Sequence, residues 1–412
     1  MNSLPDVSAV RLKLAFTCVH EADHLPPLDP QADKLFQYGR YLEKKDGPKD
    51  FNDVARYYRI AAAHGHYKAN HNLQILISSG GASSPDAEKE SVDLAEQLIK
   101  AGVPGGYYDI GHYLLNGYGL QRDEDAARRY IRKAADLGNA DAQYYVANLL
   151  DPADAAPDIA RQMFQCAADQ GHAEAANYLG VSLQTDNKYS DAAKAFQTSV
   201  AAGSSQSALV LEAAFDAHGG KDPISNLDVH PDPERVRRYD LIGKFLRTND
   251  GRNPKVPDID KIVPLPPEKL SPWDGTFQWQ KEQDTATTPE KPSDELINEM
   301  AKAKHLDPAT GLPLEEATGK TSQIDQRENI ASRLPLGTVA RTGQPCPEDG
   351  VWCAKLGAGQ VGDTQRRFLK GDALPSIVVH EPRKLAVLDS MMGTRQHVTQ
   401  VAWELVAYLD RA

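Results

Sequence analysis

His20-Glu21-Ala22-Asp23-His24 fits H-E-x-x-H, the spacing at which two histidines one helical turn apart hold zinc while the glutamate activates a water. That chemistry requires a stable helix. Leu25-Pro26-Pro27 follows at once and stops any helix at the second histidine, and no third-ligand pattern stands out downstream. The segment reads as a polar turn that packs against or caps the first of the helix pairs that follow. His64, His66 and His172 flank helix-ending glycines and read as turn residues, not a metal cluster. Cys166 falls on an apolar helix face and reads as a buried small hydrophobe, while Cys18 has no assigned partner. Ser79-Gly80-Gly81 and Gly117-Tyr118-Gly119 follow no strand and carry no lysine partner, so they are turns and not phosphate cradles. Cys346 and Cys353 bracket CPEDGVWC, which reads as a hairpin whose ends a disulfide staples, and such a bridge implies an oxidising compartment. The expectation is a chain with no catalytic residue, no metal and no cofactor.

The elements that position these residues repeat. RYYRIAAAHG, LAEQLIKAG, RRYIRKAADLG, RQMFQCAADQG and KAFQTSVAAG close at Gly65, Gly102, Gly138, Gly171 and Gly203, a period of paired-helix repeats. RRYDLIGKFLRTNDG, closing at Gly251, reads as a sixth copy after an insertion. Each glycine ends a helix because the left-handed conformation costs it least. Alanine pairs before it (Ala62-Ala63, Ala134-Ala135, Ala167-Ala168) let neighbouring helices approach closely. A lone helix pair cannot bury its apolar face, whereas six stacked pairs share one core. The predicted fold is mainly α, a solenoid of about six helix-pair repeats. In such arrays the first helix of each unit lines the concave side. Reading the units in register around the Leu-Gly pair gives Gln37 and Arg40, Asn72, Asp109 and His112, Tyr145 and Asn148, and Tyr178 as the contact ladder for a protein partner. The competing expectation is that some of these pack under a connector folded back into the groove.

Past the array, Pro254, Pro257, Pro264, Pro266 and Pro267 block helix and central strand alike, so residues 252–333 read as an extended connector. Trp273, Phe277 and Trp279 are too many aromatics for a free linker and predict docking on the repeats, and Ser293 caps a short helix over SDELINEMAKAKH. Residues 334–412 are rich in Val, Thr, Phe and Trp between Gly, Asp and Pro, which predicts a small β-rich C-terminal domain. The division is thus 1–33 N-terminal segment, 34–251 array, 252–333 connector and 334–412 C-terminal domain.

The net charge of −12 argues against nucleic acid, which needs a surplus of lysine and arginine on one face, and favours a basic protein partner. From Ala331 onward basic and acidic residues number ten and eight, so the acidity lies in the first three quarters of the chain. No apolar run is long enough to cross a bilayer. Asp6, Arg11 and Lys13 interrupt the opening stretch, so no secretion signal is visible: the alternatives are a cytoplasmic protein or a trimmed mature form.

The run YDIGHYLLNGYGLQRDEDAARRYIRKAADLGNADAQYYVANLL resembles the Sel-like repeat, a relative of the tetratricopeptide repeat, with its Ile-Gly, Gly-x-Gly, Asp, Ala and Lys-Ala-Ala-x-x-Gly positions in order. The resemblance covers Lys34 to Gly203, although units two and five lack the Gly-x-Gly turn. The succession FTCVHEADHLPPLDP, repeats, IVPLPP, WDGTFQWQKEQ, TGQPCPEDGVWC, RRFLKGDALP and TQVAWELVAY is similar to the immunity proteins encoded beside type VI secretion phospholipase effectors, particularly of the phospholipase D type. That resemblance implies a periplasmic, often lipid-anchored protein that binds and silences a cognate phospholipase toxin. The alternative is a repeat scaffold or regulator in the cell envelope.

Overall fold

The computed structural model describes residues 14–151, 155–216, 225–314, 334–357, 364–381 and 395–408, so the charged opening stretch through Lys13 lies outside the described residues. Twelve helices form six antiparallel pairs: α1 (Pro30–Lys44) with α2 (Phe51–Ala63), α3 (Tyr67–Ser78) with α4 (Ala87–Lys100), and α5 (Gly105–Asn116) with α6 (Glu124–Asp136). The remaining pairs are α7 (Ala140–Leu150) with α8 (Pro157–Asp169), α9 (Ala173–Thr185) with α10 (Tyr189–Ala201), and α11 (Ser205–Phe215) with α12 (Pro233–Thr248).

Five of the predicted terminators, Gly65, Gly102, Gly138, Gly171 and Gly203, take φ between +77° and +108°. Gly251 departs from the expectation. It lies in a 3-10 turn, and Asn253 takes the left-handed conformation there instead. After four of the five turns a side chain caps the next helix: His66, Asn139, His172 and Ser204 accept from the N–H three residues on. Asp29, Asp50, Asp86, Asp123 and Asp232 do the same at α1, α2, α4, α6 and α12. Each such cap is worth about 1 kcal/mol.

The units are in register from the inside. Ala69, Gly106, Ala142, Ala175 and Ser207 are buried, and four residues on so are Leu73, Ile110, Val146, Leu179 and Leu211. The small residue admits the preceding helix and the large one fills the core between units. Gly106 is obligatory in that row, since a Cβ there would stand 2.6 Å from the Ala95 carbonyl oxygen.

The connector docks, as its aromatics predict. Val256, Ile259, Ile262, Val263 and Phe277 join the core of α10 to α12, and α13 (Ile259–Ile262) and α14 (Gln278–Thr285) ride on that end. Phe277 stacks on Phe245 with ring centres 4.0 Å apart. Farther along, α15 (Asp294–Ala303), capped by Ser293, puts Ile297, Met300 and Ala301 into the core of α1 to α3. Only residues 286–293 separate these docking points, a stretch that reaches at most about 30 Å when extended. The connector therefore straps the last unit to the first. Its hydrogen bonds run to the even-numbered helices and the turns after them, through Arg56, Arg59 and His64 at one end and Gln197, Ala201, Arg235 and Arg238 at the other.

The C-terminal part holds an antiparallel sheet in the order β1 (Val339–Arg341), β6 (Ala402–Tyr408), β2 (Gly350–Lys355), β3 (Gln365–Phe368), and a hairpin-like pair of β4 (Ile377–Glu381) and β5 (Arg395–Thr399). Trp352, Trp403, Phe368 and Leu405 fill its core. It sits on α4 and α6: Arg367 pairs with Glu96 at 2.8 Å, Arg129 with Asp372 at 3.3 Å, and Leu369 enters the core beside Val92 and Tyr130.

The disulfide expected in this domain is not there. Cys346 and Cys353 are unpaired, and the bridge joins Cys18 to Cys166, whose Cα atoms are 5.6 Å apart. CPEDGVWC is not a hairpin. Its second half is strand β2, where Trp352 and Ala354 face the core and Cys353 points to the other side, while Cys346 is buried in the core. The strand's two-residue alternation thus turns the two thiols away from each other.

Candidate binding site

Connector and C-terminal domain both occupy the side of the even-numbered helices, and the side chains of the odd-numbered helices meet one another instead. His66, the cap of α3, lies 3.1 Å from Asp33 of α1; His172, the cap of α9, lies 3.2 Å from Asp141 of α7. Between them, Tyr113 donates to Gln74 at 2.7 Å, His71 faces Asp109 at 3.6 Å, and His112 meets Tyr145 edge-on at 5.7 Å between ring centres. Tyr144 meets Tyr178 in the same manner, and Asn177 donates to Ser207 at 2.7 Å. Each contact crosses from one unit to the next.

The ladder read from the sequence falls on this face, but not as one continuous strip. Arg40, Asn72 and Asp109 line a single cavity of about 450 Å3. His112 and Tyr145 touch each other at its far side, and Tyr178, 42% exposed, stacks on Phe164 farther along. Gln37 is exposed and donates to Asp33 at 3.4 Å, outside the cavity lining, and Asn148 donates back to its own helix at the Tyr144 carbonyl.

The cavity also gathers residues that the register did not supply: Glu21 and Leu25 from the N-terminal segment, Tyr67, His71 and Tyr108 from α3 and α5, and Asp141 from α7. Glu21 is the glutamate of the H-E-x-x-H pattern. Its segment forms a 3-10 turn, Glu21–Asp23, and its carboxylate is taken up structurally, accepting from Gly105 N–H at 2.9 Å and from Asn139 Nδ2 at 3.1 Å. The turn does not cap the first repeat. It lies across the junctions of the third and fourth units, where Glu21 N–H donates to the Gly138 carbonyl and to Gln170 Oε1. Gly138 must be glycine twice over, for its φ of +106° and because a Cβ would stand 2.6 Å from Glu21 N. The Cys18–Cys166 bridge pins the segment just upstream. Among the described residues, the one group of three or more prospective metal ligands is Cys18, His20 and Cys166, whose two sulfurs are bonded to each other.

Burial raises the Glu21 pKa against the pull of Asn139 and the Gly105 N–H, whereas the hydrogen bond from His172 lowers that of Asp141. Hydrogen bonding to Asp109 raises His71, and burial lowers His112. Asp109 is only 9% exposed, and its Oδ2 has no hydrogen-bond partner among the described residues; the same holds for Nε2 of His112. The face also carries apolar positions absent from the ladder: Ile75, Leu149, Val181 and Leu209, each about half exposed. Ile75 and Val181 stand at the register of Arg40, His112 and Asn148, three residues after Asn72 and Tyr178, so the periodicity contained them. The H-E-x-x-H pattern drew attention to Glu21 as a metal-site residue, but nothing in the sequence placed it in this cavity, because its partners lie 84 and 118 residues away.

Stacked helix pairs with a strapped outer side and an open face of first helices define a Sel-like repeat protein. Comparison with known proteins gives its relatives. Residues 207–314 match a family described as a domain of unknown function, DUF6396. No curated protein matches the chain. Among solved structures, it is 30% identical to Pseudomonas aeruginosa PA5086, covering 61% of this chain and 95% of that one at a TM-score of 0.49. It is 29% identical to immunity protein PA5087 of the same organism (62% and 96%, TM-score 0.50) and 28% identical to immunity protein PA5088 (61% and 94%, TM-score 0.51). At 30% identity over 95% of PA5086, the chain belongs to the family that these Pseudomonas aeruginosa proteins represent.

Proposed function

We propose that this chain is an immunity protein that binds a type VI secretion phospholipase effector and silences it through the face of its odd-numbered helices, without catalysis of its own. The observation that carries this reading is the distribution of cover: both appended segments lie on the even-numbered helices, and the first-helix face keeps half-exposed Ile75, Leu149, Tyr178, Val181 and Leu209 beside a charged cavity. Exposed apolar and aromatic positions rimmed by polar ones suit a protein interface. Kinship with two immunity proteins supports the role, and the sequence resemblance supplies the phospholipase class. The Cys18–Cys166 bridge supports a periplasmic setting, since disulfides persist where the environment is oxidising. The test is a titration of the purified chain against the phospholipase encoded beside it, read as lipid hydrolysis. Loss of activity at an equimolar ratio is expected, and undiminished hydrolysis at excess would overturn the reading.

A further inference from the structure

We propose that Cys18, His20 and Cys166 become a binding site for zinc when the bridge between the two cysteines is reduced, so that a disulfide and a metal ion are alternative clamps on the N-terminal segment. The inference goes beyond the immunity reading and does not depend on it. Both sulfurs and a ring nitrogen of His20 lie within 4.8 Å of one another. Tetrahedral zinc with thiolate and imidazole ligands holds them roughly 3.5 Å apart, so the imidazole has about an ångström to travel once the sulfurs part. Reduction leaves the ligands facing each other, because the segment is also held on both sides of Cys18 by bonds that involve no sulfur. Upstream, Arg132 donates to the Ala15 carbonyl at 2.9 Å; downstream, Gln143 donates to the Val19 carbonyl at 2.9 Å and Glu21 N–H to that of Gly138 at 3.1 Å. Cys166 is fixed in the packed face of α8, 1% exposed, whereas Cys18 is exposed. Both line an open cavity of about 750 Å3 beside α8 and α10, which gives an ion its way in and leaves a fourth position to water. The donor set selects the ion: two thiolates and an imidazole suit zinc, while magnesium and calcium take oxygen ligands. His24, the second histidine of the H-E-x-x-H pattern, is not in this group, so the cysteines replace it as companions of His20. The chemistry balances with a phosphine as reductant, which takes oxygen from water to become its oxide and leaves a proton on each sulfur. Zinc then displaces those protons and bonds to the two thiolates and the neutral imidazole.

Two measurements test this on the full chain. In the first, the chain is reduced with a water-soluble phosphine, freed of it under nitrogen, and titrated with cobalt(II) and then zinc. A single cobalt per chain is expected, with the charge-transfer absorption of thiolate ligands, displacement by zinc, and release of one proton per thiolate. The oxidised chain should show none of this, and Cys353→Ser should behave as wild type. His20→Ala, checked for wild-type thermal unfolding, should bind about tenfold or more weakly. No uptake by the reduced chain, or equal uptake after Cys18→Ser, would overturn the site, and undiminished affinity in His20→Ala would overturn it as a three-ligand site. The second measurement needs no variant and follows chymotryptic cleavage after Phe16. Reduction alone should speed the cut, zinc should return it to the rate of the bridged chain, and magnesium should not. A rate indifferent to zinc would overturn the exchange of one clamp for the other.

Discussion

An imidazole that caps a helix through Nδ1 has to be neutral, because protonation puts a hydrogen where the backbone N–H must donate. His66 is in that state. Its Nδ1 accepts from Ala69 N–H at 3.1 Å, its Nε2–H donates to Asp33 at 3.1 Å, and burial holds its pKa below the ordinary value despite the carboxylate. The unfolded chain binds this proton first, so the contribution of His66 is complete above the unfolded pKa of about 6.5 and is lost as pH falls through the lower folded value. Thermal unfolding of wild type and His66→Asn between neutral and mildly acid pH should show a flatter dependence in the variant, which keeps the cap without the titration; equal slopes would contradict the assignment. His66→Ala should cost about 2 kcal/mol at neutral pH, one cap plus a stranded buried donor. That His66 and His172 belong to turns was legible from the glycines beside them. That each ties its unit to an aspartate some thirty residues back was not, because the matching positions of the other units carry other residues. The cysteines show the same limit. Nearness in sequence favoured Cys346 with Cys353, but strand alternation separates them, and burial pushes the Cys346 thiol up to about 12, the mark of an unreactive core cysteine. A non-reduced digest should yield the Cys18 and Cys166 peptides linked, with Cys353 alkylated in the folded chain and buried Cys346 alkylated only after unfolding. Because that bridge closes 148 residues, Cys18→Ser with Cys166→Ser should lower the unfolding free energy by up to about 5 kcal/mol in the chain-entropy picture, measurable by urea titration.

Among the elements, the connector depends on its host more than on itself. A proline-rich segment has few N–H groups and no ladder, so its carbonyls need donors from elsewhere. Two buried arginines of α12 provide them: Arg235 donates to the carbonyls of Pro264 and Glu268, and Arg238 to those of Ile262 and Ser271. Arg238→Ala strands two carbonyls and leaves Glu234 without one of its two guanidinium partners, so a loss of about 3 kcal/mol is expected. The local consequence is sharper: limited proteolysis should cut between residues 264 and 293 well before it cuts the helix pairs, and a variant as resistant as wild type would show that the aromatic contacts of Phe277 and Trp279 hold the strap alone. The aromatics announced that this segment docks. Where it docks was not legible, because Arg235 and Arg238 in the sequence look like solvated partners of Asp232 and Glu234 on a helix surface, and only the fold shows that their guanidinium groups are enclosed.

At the scale of the whole molecule, strap and C-terminal domain rest on α2, α4, α6, α10 and α12 of the even-numbered side, and the odd-numbered side divides into two unlike halves. The first three units and the start of the fourth present the carboxylate cavity, and the fourth to sixth present Leu149, Tyr178, Val181 and Leu209. Charge and apolar contact do different work in association. The acidity of the array, part of a net −12, should act on encounter, so raising salt should slow the association rate with the proposed phospholipase partner while leaving dissociation nearly unchanged. The apolar half should act on residence. Tyr178 is its best anchor, a large ring held on Phe164 and Tyr144 with its edge still open, which gives it area without the entropy cost of fixing a floppy side chain. Tyr178→Ala should therefore raise the dissociation rate about tenfold or more, near 1.5 to 2 kcal/mol, with the association rate little changed. Val398→Ala, equally apolar and more exposed but on the C-terminal domain, should change neither rate. If instead Val398→Ala loosens the complex and Tyr178→Ala does not, the partner grips the C-terminal domain and the open face of the odd-numbered helices serves something else.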